Sequence, residues 1–328
     1  MKLLVTGGAG YIGSVVADQL LAAGHEVVII DNLSRGHREA VPSGAELVVG
    51  DLADKEGLAA LFRKHAFDGV LHFAAFIEAG ESMKTPETFF RNNTANALGV
   101  LEVMLAAGVQ RFVFSSTAAL YGNPLRSPIQ EDDALRPTNA YGESKLLVER
   151  MLEWFQRIHG MRYASLRYFN AAGAATADRG EAHQPESHLV PRIMNVALGK
   201  QPYVEIFGTD YPTPDGTCVR DYIHVSDLAT AHLLALEALE RQSKLIYNLG
   251  SGNGFTVRQV IEGVRRVTGQ EIRVVESPRR AGDPAVLIAS SQKIRRELNW
   301  KPQFPKLEHI LESAWQWHKS HPEGYGKA

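Results

Sequence analysis

Apolar residues near the amino terminus follow two different spacings in turn. Residues 2–6 and 26–30 are short continuous apolar runs, which predict two buried strands. Between them, apolar residues recur at helical spacing from Tyr11 to Ala23, and Gly24 follows where a helix commonly ends. The chain therefore begins with a strand, a helix and a second strand, and that second strand ends at Asp31.

Strands and helices continue to alternate beyond this unit. The pattern predicts strands at 45–49, 68–73, 111–114 and 163–169, and helices that begin near Asp54, after Pro86 and at Ala140. Such alternation predicts an α/β fold with a doubly wound, parallel, Rossmann-type sheet. Residues 170–187 lack periodicity and read as a loop that enters a second lobe, where 189–197 is helical. We expect a sheet domain over 1–169, with a return segment at about 224–250, and a smaller α/β substrate-binding lobe over 170–328.

A glycine-rich turn links the first strand to the first helix. Its glycines fit both GxxGxxG and GxGxxG and are Gly7, Gly8, Gly10 and Gly13. Backbone without side chains lets a pyrophosphate approach the positive end of a helix. Asp31 can bind the ribose hydroxyls of adenosine and would repel a 2′-phosphate, which predicts NAD rather than NADP. Arg35 could accommodate that phosphate, or it could lie in a solvated loop.

Polar and small residues follow the later strands at the sheet edge where such folds bind ligands. Asp51 and Leu52 follow the third strand, where adenine contact and capping of the next helix are both consistent with the sequence. Hydroxyl residues end the fifth strand at Thr117. Tyr141 and Lys145 are four residues apart at the start of a helix, so they lie on one face. The glycine turn, the hydroxyls at a strand end and the Tyr141–Lys145 pair follow one another along the chain. This order favours a catalytic role for Tyr141 and Lys145 over the alternative, a capped helix with a solvated lysine.

Composition excludes several classes of protein. The 328 residues are 45% apolar and 22% charged, and the formal net charge of −2 provides no basic field for nucleic acid or anionic membrane. The single cysteine, Cys218, fits a reducing cytosol, and no apolar run reaches membrane-spanning length. The amino terminus does not resemble a signal peptide. The twelve histidines show neither HExxH nor a comparable ligand spacing, so no metal is expected.

The motifs taken together resemble the extended short-chain dehydrogenase/reductase family, and within it the sugar-nucleotide 4-epimerases. The similar stretches run from residue 3 to about residue 288 and are VTGGAGYIGS, IIDNLS, HFAA, FSSTAALYG, YGESK, LRYFNAAGA, FGTDYPTPDGTCVRDYIHVSDLA, YNLGSGNG and RRAGDPA. The resemblance implies NAD-dependent interconversion of UDP-glucose and UDP-galactose. The implied steps are oxidation at C4, rotation of a 4-keto intermediate and re-reduction. The resemblance also implies a cytoplasmic homodimer.

The resemblance further implies roles for individual residues. Tyr141 would be the base, Lys145 the cation that lowers its pKa, and Thr117 a hydrogen-bonding partner of the same sugar oxygen. NAD would be bound by Gly7, Gly10, Tyr11, Ile12, Gly13, Asp31, Asn32, Asp51, Leu52, Phe73, Ala74, Ala75, Asn92, Tyr141, Lys145 and Phe169. The UDP-sugar would contact Thr117, Tyr141, Asn170, His188, Leu189, Phe207, Arg220, Arg280, Asp283 and Leu287. Arg220 and Arg280 stand out as a pyrophosphate clamp because each lies in a loop-like stretch beside an aspartate.

The chain departs from the family pattern at three positions. Ile77 replaces a lysine near the cofactor, His188 an asparagine that often contacts the uridine diphosphate, and Leu287 a bulky tyrosine of glucose-specific members. A 4,6-dehydratase would need an acid pair directly after the threonine, where this chain has Ala118 and Ala119. The same fold also serves UDP-GlcNAc 4-epimerases, UDP-glucuronate decarboxylases and non-catalytic NAD-binding proteins, which are the rival functions for this chain.

Overall fold

The computed structural model describes residues 1–280 and 282–326 and falls into two compact units. The first unit consists of Met1–Gly122, Leu135–Arg167 and Ala229–Tyr247. The second consists of Asn123–Ala134, Tyr168–Leu228 and Asn248–Ala328. Ala281, within the RRAGDPA stretch, and residues 327–328 lie outside the described residues. Within the described part of the chain, no helix is both long and apolar enough to cross a membrane.

Strands and helices are numbered along the chain. The strands are β1 Lys2–Thr6, β2 Glu26–Asp31, β3 Glu46–Val49, β4 Gly69–His72, β5 Arg111–Thr117, β6 Arg162–Tyr168, β7 Asn170–Ala172, β8 Val204–Phe207, β9 Val219–His224, β10 Lys244–Leu249, β11 Gly254–Thr256, β12 Val274–Ser277 and β13 Val286–Leu287. The helices are α1 Tyr11–Ala22, α2 Lys55–Lys64, α3 Ala79–Ser82, α4 Pro86–Phe89, α5 Asn96–Ala106, α6 Ala140–His159, α7 Leu189–Ala197, α8 Val225–Ala238, α9 Val257–Thr268, α10 Gln292–Leu298 and α11 Leu307–Ser320.

The first unit holds a seven-stranded sheet in the order β10-β6-β5-β4-β1-β2-β3. Its central pairs are parallel, and Leu3 of β1 is in register with Val27 on one side and Gly69 on the other. The predicted doubly wound Rossmann-type sheet is thus confirmed. The strand order reverses between β1 and β4, and in such sheets ligands bind outside the carboxyl ends of the strands at this reversal.

The predicted helix after Pro86 is present but is not regular. It consists of α4, a π-helical turn over Phe90–Ala95, and α5. Beyond this turn, Ala97, Val100 and Leu101 of α5 are buried, whereas Leu105 near the end of the helix is 41% exposed. π-turns of this kind are frequent at functional sites.

The second unit contains two small sheets and a helical layer. In the larger sheet, β9 pairs with β7, β11 and β13, and in the smaller one β12 pairs with β8. Helices α7, α9 and α11 share an apolar core with β8 that includes Ile193, Val204 and Leu311. The expectation of an irregular segment from Asn170 is wrong at its start, because Asn170–Ala172 is a strand held in register by β9.

Candidate active site

The turn between β1 and α1 requires glycine for reasons of space. Gly7 has a φ of +71°, and a Cβ there would lie 2.5 Å from the backbone nitrogen of Ala74. A Cβ on Gly13 would lie 2.3 Å from the Gly7 carbonyl oxygen. The turn is therefore packed against the chain that leaves β4, where Ala74 donates a backbone hydrogen bond to Thr6.

The amino terminus of α1 is left open to a ligand. Gly10 is its N-cap, and within the described residues no side chain caps this helix, whereas Asp54, Asn139 and Thr256 cap α2, α6 and α9. Backbone N–H groups at an uncapped helix start bind anions such as a pyrophosphate. Tyr11, Ile12 and Gly13 form this first turn, so the geometry fits the phosphates of a dinucleotide.

Asp31 ends β2 beside this turn. Its carboxylate accepts hydrogen bonds from Ala9 N at 3.0 Å and Leu33 N at 2.9 Å. Since a carboxylate has about four acceptor positions, two remain for ribose hydroxyls. Arg35 forms an ion pair with Glu78 at 3.2 Å, so its guanidinium is already held by a carboxylate. Both observations fit NAD better than NADP.

Asn32 and Asp51 meet at the carboxyl ends of β2 and β3. Asn32 Nδ2 donates to Asp51 Oδ2 at 2.8 Å. The capping interpretation of Asp51 is wrong, because Asp54 caps α2 by accepting a hydrogen bond from Gly57 N at 2.9 Å. Leu52, Ala74 and Ala75 lie at the same edge, and the Phe73 ring lies 4.9 Å from that of His232.

Replacing Asp31 with alanine should weaken NAD binding about 10- to 100-fold, since a hydrogen bond to a charged group contributes about 1.5–3 kcal/mol. The NAD/NADP preference should shrink with it, because the repulsion of a 2′-phosphate is lost. Calorimetry with both dinucleotides on NAD-free protein measures both effects, and thermal unfolding controls for folding. Equal affinity of the unaltered protein for NAD and NADP would contradict the role given to Asp31.

Thr117 and Tyr141 meet where β5 ends and α6 begins. The Thr117 hydroxyl is hydrogen-bonded to the Tyr141 phenol, which lowers the pKa of the phenol. Burial acts in the opposite direction and is the larger effect, and nearby Glu78 adds to it, so the pKa of Tyr141 is raised. A base at this position therefore needs additional positive charge when it works.

Lys145 lies one turn along α6 and is 2% exposed. Its Nζ donates to the Ser115 carbonyl at 3.0 Å rather than to Tyr141, and it lies 4.9 Å from the centre of the Phe114 ring. Burial lowers the pKa of Lys145 to about 7. The contacts described for these two residues include no hydrogen bond between Lys145 and Tyr141, so the effect of this lysine on the pKa of Tyr141 stays a prediction.

A buried ion pair joins β6 to α6, and a hydrogen bond from Ser116 ties β5 to the same carboxylate. Glu149 accepts from Arg167 Nη2 at 2.6 Å and from Ser116 Oγ at 2.6 Å. Arg167 also donates to the Tyr121 hydroxyl at 2.9 Å. The network fixes the strand end that carries Thr117 relative to the helix that carries the tyrosine and lysine.

Asn93 in the π-turn is a positioning residue that the sequence did not reveal. It is 1% exposed, and its side chain bonds both backbone groups of Phe76 and donates to Ser144 Oγ at 3.1 Å. Ser144 in turn donates to the Tyr141 carbonyl at 2.7 Å. Asn92 is partly buried and donates to Asn93 at 3.0 Å. In the sequence, the one indication of this role is that two adjacent asparagines lie inside a predicted helix.

Five of the predicted UDP-sugar residues take part in one ion pair, one strand pairing and one cation–ring contact within the second unit. Arg220 forms an ion pair with Asp283 at 3.1 Å, and Leu287 is its register partner on β13. The Arg280 guanidinium lies 3.7 Å from the centre of the Phe207 ring. The second contact places a planar cation on an aromatic face, and both guanidiniums can pair with a diphosphate.

The loop placement of Arg220 is wrong, because this residue lies on β9. Side chains alternate along a strand, so its neighbour Asp221 faces the opposite side. The Asp221 carboxylate is buried and accepts hydrogen bonds from Ser251 N at 2.8 Å and from Gly252 N and Ala289 N at 3.0 Å. Asp221 thus supports the fold, and Asp283 is the acidic partner of Arg220.

The remaining predicted contacts lie at three places in the second unit. Phe169 is buried and links β6 to β7 along the chain, and Asn170 opens β7. His188 is the N-cap of α7, and Leu189 is the first residue of that helix. Burial lowers the pKa of Arg280, and the charge of Arg192, which the sequence did not single out, lowers it further.

The comparisons with known proteins identify the family. Residues 3–250 match the model of the NAD dependent epimerase/dehydratase family. This chain belongs to that family. Members similar to it include the UDP-glucose 4-epimerases of Streptomyces lividans, 53% identical over 99% of this chain and 98% of the relative, and of Lacticaseibacillus casei, 50% identical over 99% of both. A Brucella ovis UDP-glucose 4-epimerase, solved in complex with NAD, is 43% identical with a TM-score of 0.92, over 96% of this chain and 97% of that one.

Proposed function

We propose that the protein is an NAD-dependent UDP-glucose 4-epimerase that interconverts UDP-glucose and UDP-galactose. The observation that carries the proposal is the hydrogen-bonded pair of Thr117 and Tyr141, with Lys145 one turn away on the same helix. The pair lies at the carboxyl end of β5, on the ligand-binding edge of the sheet. Full-length relatives with this activity support the proposal.

The Tyr141 phenolate removes the proton from the sugar 4-hydroxyl in each direction, and the neutral phenol returns it. Thr117 hydrogen-bonds the same oxygen and stabilises charge that develops there. Lowering the phenol pKa from about 10 to 7 requires about 4 kcal/mol. A bound NAD supplies the hydride acceptor and donor for C4. The charged form of Lys145 contributes positive potential near the end of β5, where it already holds the Ser115 carbonyl.

The uridine diphosphate is the part of the substrate that the second unit binds. Arg220 and Arg280 pair with the phosphates, and Phe207 keeps the Arg280 guanidinium in place by stacking. Asn170, His188, Leu189, Asp283 and Leu287 complete the proposed contacts with the nucleotide-sugar.

The two residues after Thr117 do not fit a dehydratase of the same family. Elimination needs an acid and a base near C5 and C6 of the sugar. Ala118 and Ala119 begin a 3₁₀ turn at this position and offer neither group. An epimerase needs only the Thr117 and Tyr141 pair at the reacting oxygen.

The decisive assay supplies UDP-galactose and follows UDP-glucose in a coupled reaction. An epimerase converts it without net oxidation of the sugar. A dehydratase yields a 4-keto-6-deoxy product instead, and a non-catalytic NAD-binding protein yields none. Either of these results would overturn the proposal.

The proposal includes a homodimer in the cytoplasm. Trp154 and Ile158 on α6 are 59% and 66% exposed, and Leu105 on α5 is 41% exposed. Large apolar side chains on neighbouring helices are suited to pairing with a second subunit. The single cysteine fits a reducing compartment.

Leu287 sets the sugar range in this proposal. Leucine is shorter than tyrosine, so the pocket should also admit an N-acetyl group on sugar C2. Because apolar pockets discriminate by only about 1–3 kcal/mol per small group, we expect slower but measurable interconversion of UDP-GlcNAc and UDP-GalNAc. Leu287→Tyr should suppress the acetylated pair and spare the other, whereas Leu287→Met should change neither. Absence of UDP-GalNAc turnover at millimolar concentration in the unaltered enzyme would refute this interpretation.

A further inference from the structure

Four side chains from one short loop of the second unit converge on a common point. They are Glu181, His183, Glu186 and His188, and each offers one nitrogen or oxygen that lies within 4.8 Å of the other three. The histidines both present Nδ1. His183 lies 3.3 Å from Glu181 and 3.7 Å from Glu186, while His188 lies 2.6 Å and 3.8 Å from the same carboxylates.

These separations are close to those between ligands around a small metal ion. Zinc binds histidine nitrogen and carboxylate oxygen at about 2.0–2.2 Å in a tetrahedron, so neighbouring donor atoms stand roughly 3.3–3.6 Å apart. Three of the four His–Glu distances, 3.3, 3.7 and 3.8 Å, lie in or just above this range, and the fourth, between His188 Nδ1 and Glu181, is a hydrogen bond of 2.6 Å that a metal ion would replace. Two imidazoles with two carboxylates are a donor set that divalent transition metals accept.

The loop is fixed by contacts outside the cluster. Trp317 Nε1 donates to the Glu181 carbonyl at 3.1 Å, and Gly180 N donates to the Tyr325 hydroxyl at 3.1 Å. Gly180 packs so closely that a Cβ would lie 2.3 Å from the Trp317 ring. The Glu181 side chain is 3% exposed and that of Glu186 is 11% exposed. The cluster is therefore partly enclosed and held in place, unlike a solvated acidic loop.

Charge is compatible with a divalent ion at this point. The two carboxylates supply two negative charges, which balance the two positive charges of the ion when both imidazoles serve as neutral ligands.

We propose that Glu181, His183, Glu186 and His188 form a binding site for one divalent transition-metal ion of the zinc type. The spacing ExHxxExH lies in a loop ahead of α7, so it lacks the helical repeat by which metal motifs are usually found. The expectation of no metal relied on that repeat. The proposed role is structural, because the metal would fix the loop that leads into α7. Since His188 is also a proposed contact of the nucleotide-sugar, metal binding is measured directly and not through turnover.

Cobalt(II) titration of the untagged, chelator-treated protein tests the site. We expect one cobalt per chain with the strong visible absorption of tetrahedral cobalt, displaced by zinc. Binding should also release protons in weakly buffered solution. Because loss of even an outer-shell partner costs about 10- to 100-fold in metal affinity, His183→Asn and Glu186→Gln should each weaken binding by more than about 100-fold.

His309→Asn is the matched control, since His309 is exposed on α11 and outside the cluster. It should bind cobalt like the unaltered chain, and circular dichroism with retained NAD binding verifies that all variants are folded. The proposal is overturned if the unaltered chain binds no stoichiometric cobalt. It is overturned equally if folded His183→Asn and Glu186→Gln bind as tightly as the His309 variant.

Discussion

Replacing Tyr141 with phenylalanine is expected to lower turnover of UDP-galactose by at least about 100-fold, the usual scale for a lost general base. The substitution removes only the hydroxyl, so the ring should keep its position and the chain its fold. NAD content and KM should change little, because the phenol acts on the proton of the reacting hydroxyl. Steady-state kinetics with UDP-galactose, together with the NAD released on denaturation, measure these quantities.

Tyr203→Phe is a suitable control, because Tyr203 is 39% exposed and lies outside the proposed site. Thr117→Val extends the test to the pH profile. The Thr117 hydrogen bond lowers the pKa of Tyr141, so its loss should move the acidic limb of the kcat profile to higher pH. Turnover of the phenylalanine variant close to that of the unaltered enzyme would assign the base to another group.

The sequence predicted most of the sheet because its signals are local. The continuous apolar run at 26–30 is β2, which ends at Asp31 as expected, and α7 begins and ends at the predicted residues Leu189 and Ala197. The glycine turn and Asp31 lie within one strand–helix–strand unit. Their geometry follows from neighbouring residues, so it could be anticipated.

The parts of the site that the sequence missed depend on distant partners. The π-turn is held by Asn93 bonds to Phe76 and Ser144, which are 17 and 51 residues away. Strand β9 forms by pairing with β7, β11 and β13, which are distant in the sequence. The residues next to Arg220 do not indicate this pairing, so the sequence predicts a loop there. The pattern of apolar and polar residues along a short segment does not predict contacts with residues so far away in the sequence.

The residue proposed to assist the base, Lys145, lowers the stability of the folded chain. Its ammonium is buried and donates to one carbonyl, and burial lowers its pKa from 10.5 to about 7. A pKa that is lower in the folded chain than in the unfolded chain means that the charged lysine destabilises the folded state. Below pH 7 the lysine is charged in both the folded and the unfolded chain, so the full free-energy cost of burying the charge applies. Between about pH 7 and 10.5 the folded protein loses the proton while the unfolded chain retains it, so the penalty falls as pH rises.

Lys145→Met should therefore be more stable than the unaltered enzyme and much less active. We expect turnover to fall by at least about 100-fold, because the variant lacks the positive potential that we propose helps Tyr141 to lose its proton. We also expect the Tm of the NAD-free variant to rise by several degrees below pH 7, since about 1 kcal/mol shifts Tm by about 2–4 °C in a large domain.

This gain in Tm should shrink steadily as the pH approaches the ordinary lysine value of 10.5. Thermal unfolding of both proteins between about pH 6 and about pH 10 measures the difference directly. Lys55→Met is the matched control, because Lys55 is exposed and paired with Glu102 on the surface, where loss of the charge should alter Tm little at any pH. A lower Tm for Lys145→Met at pH 6 would show that the ammonium stabilises the folded chain, contrary to the burial argument.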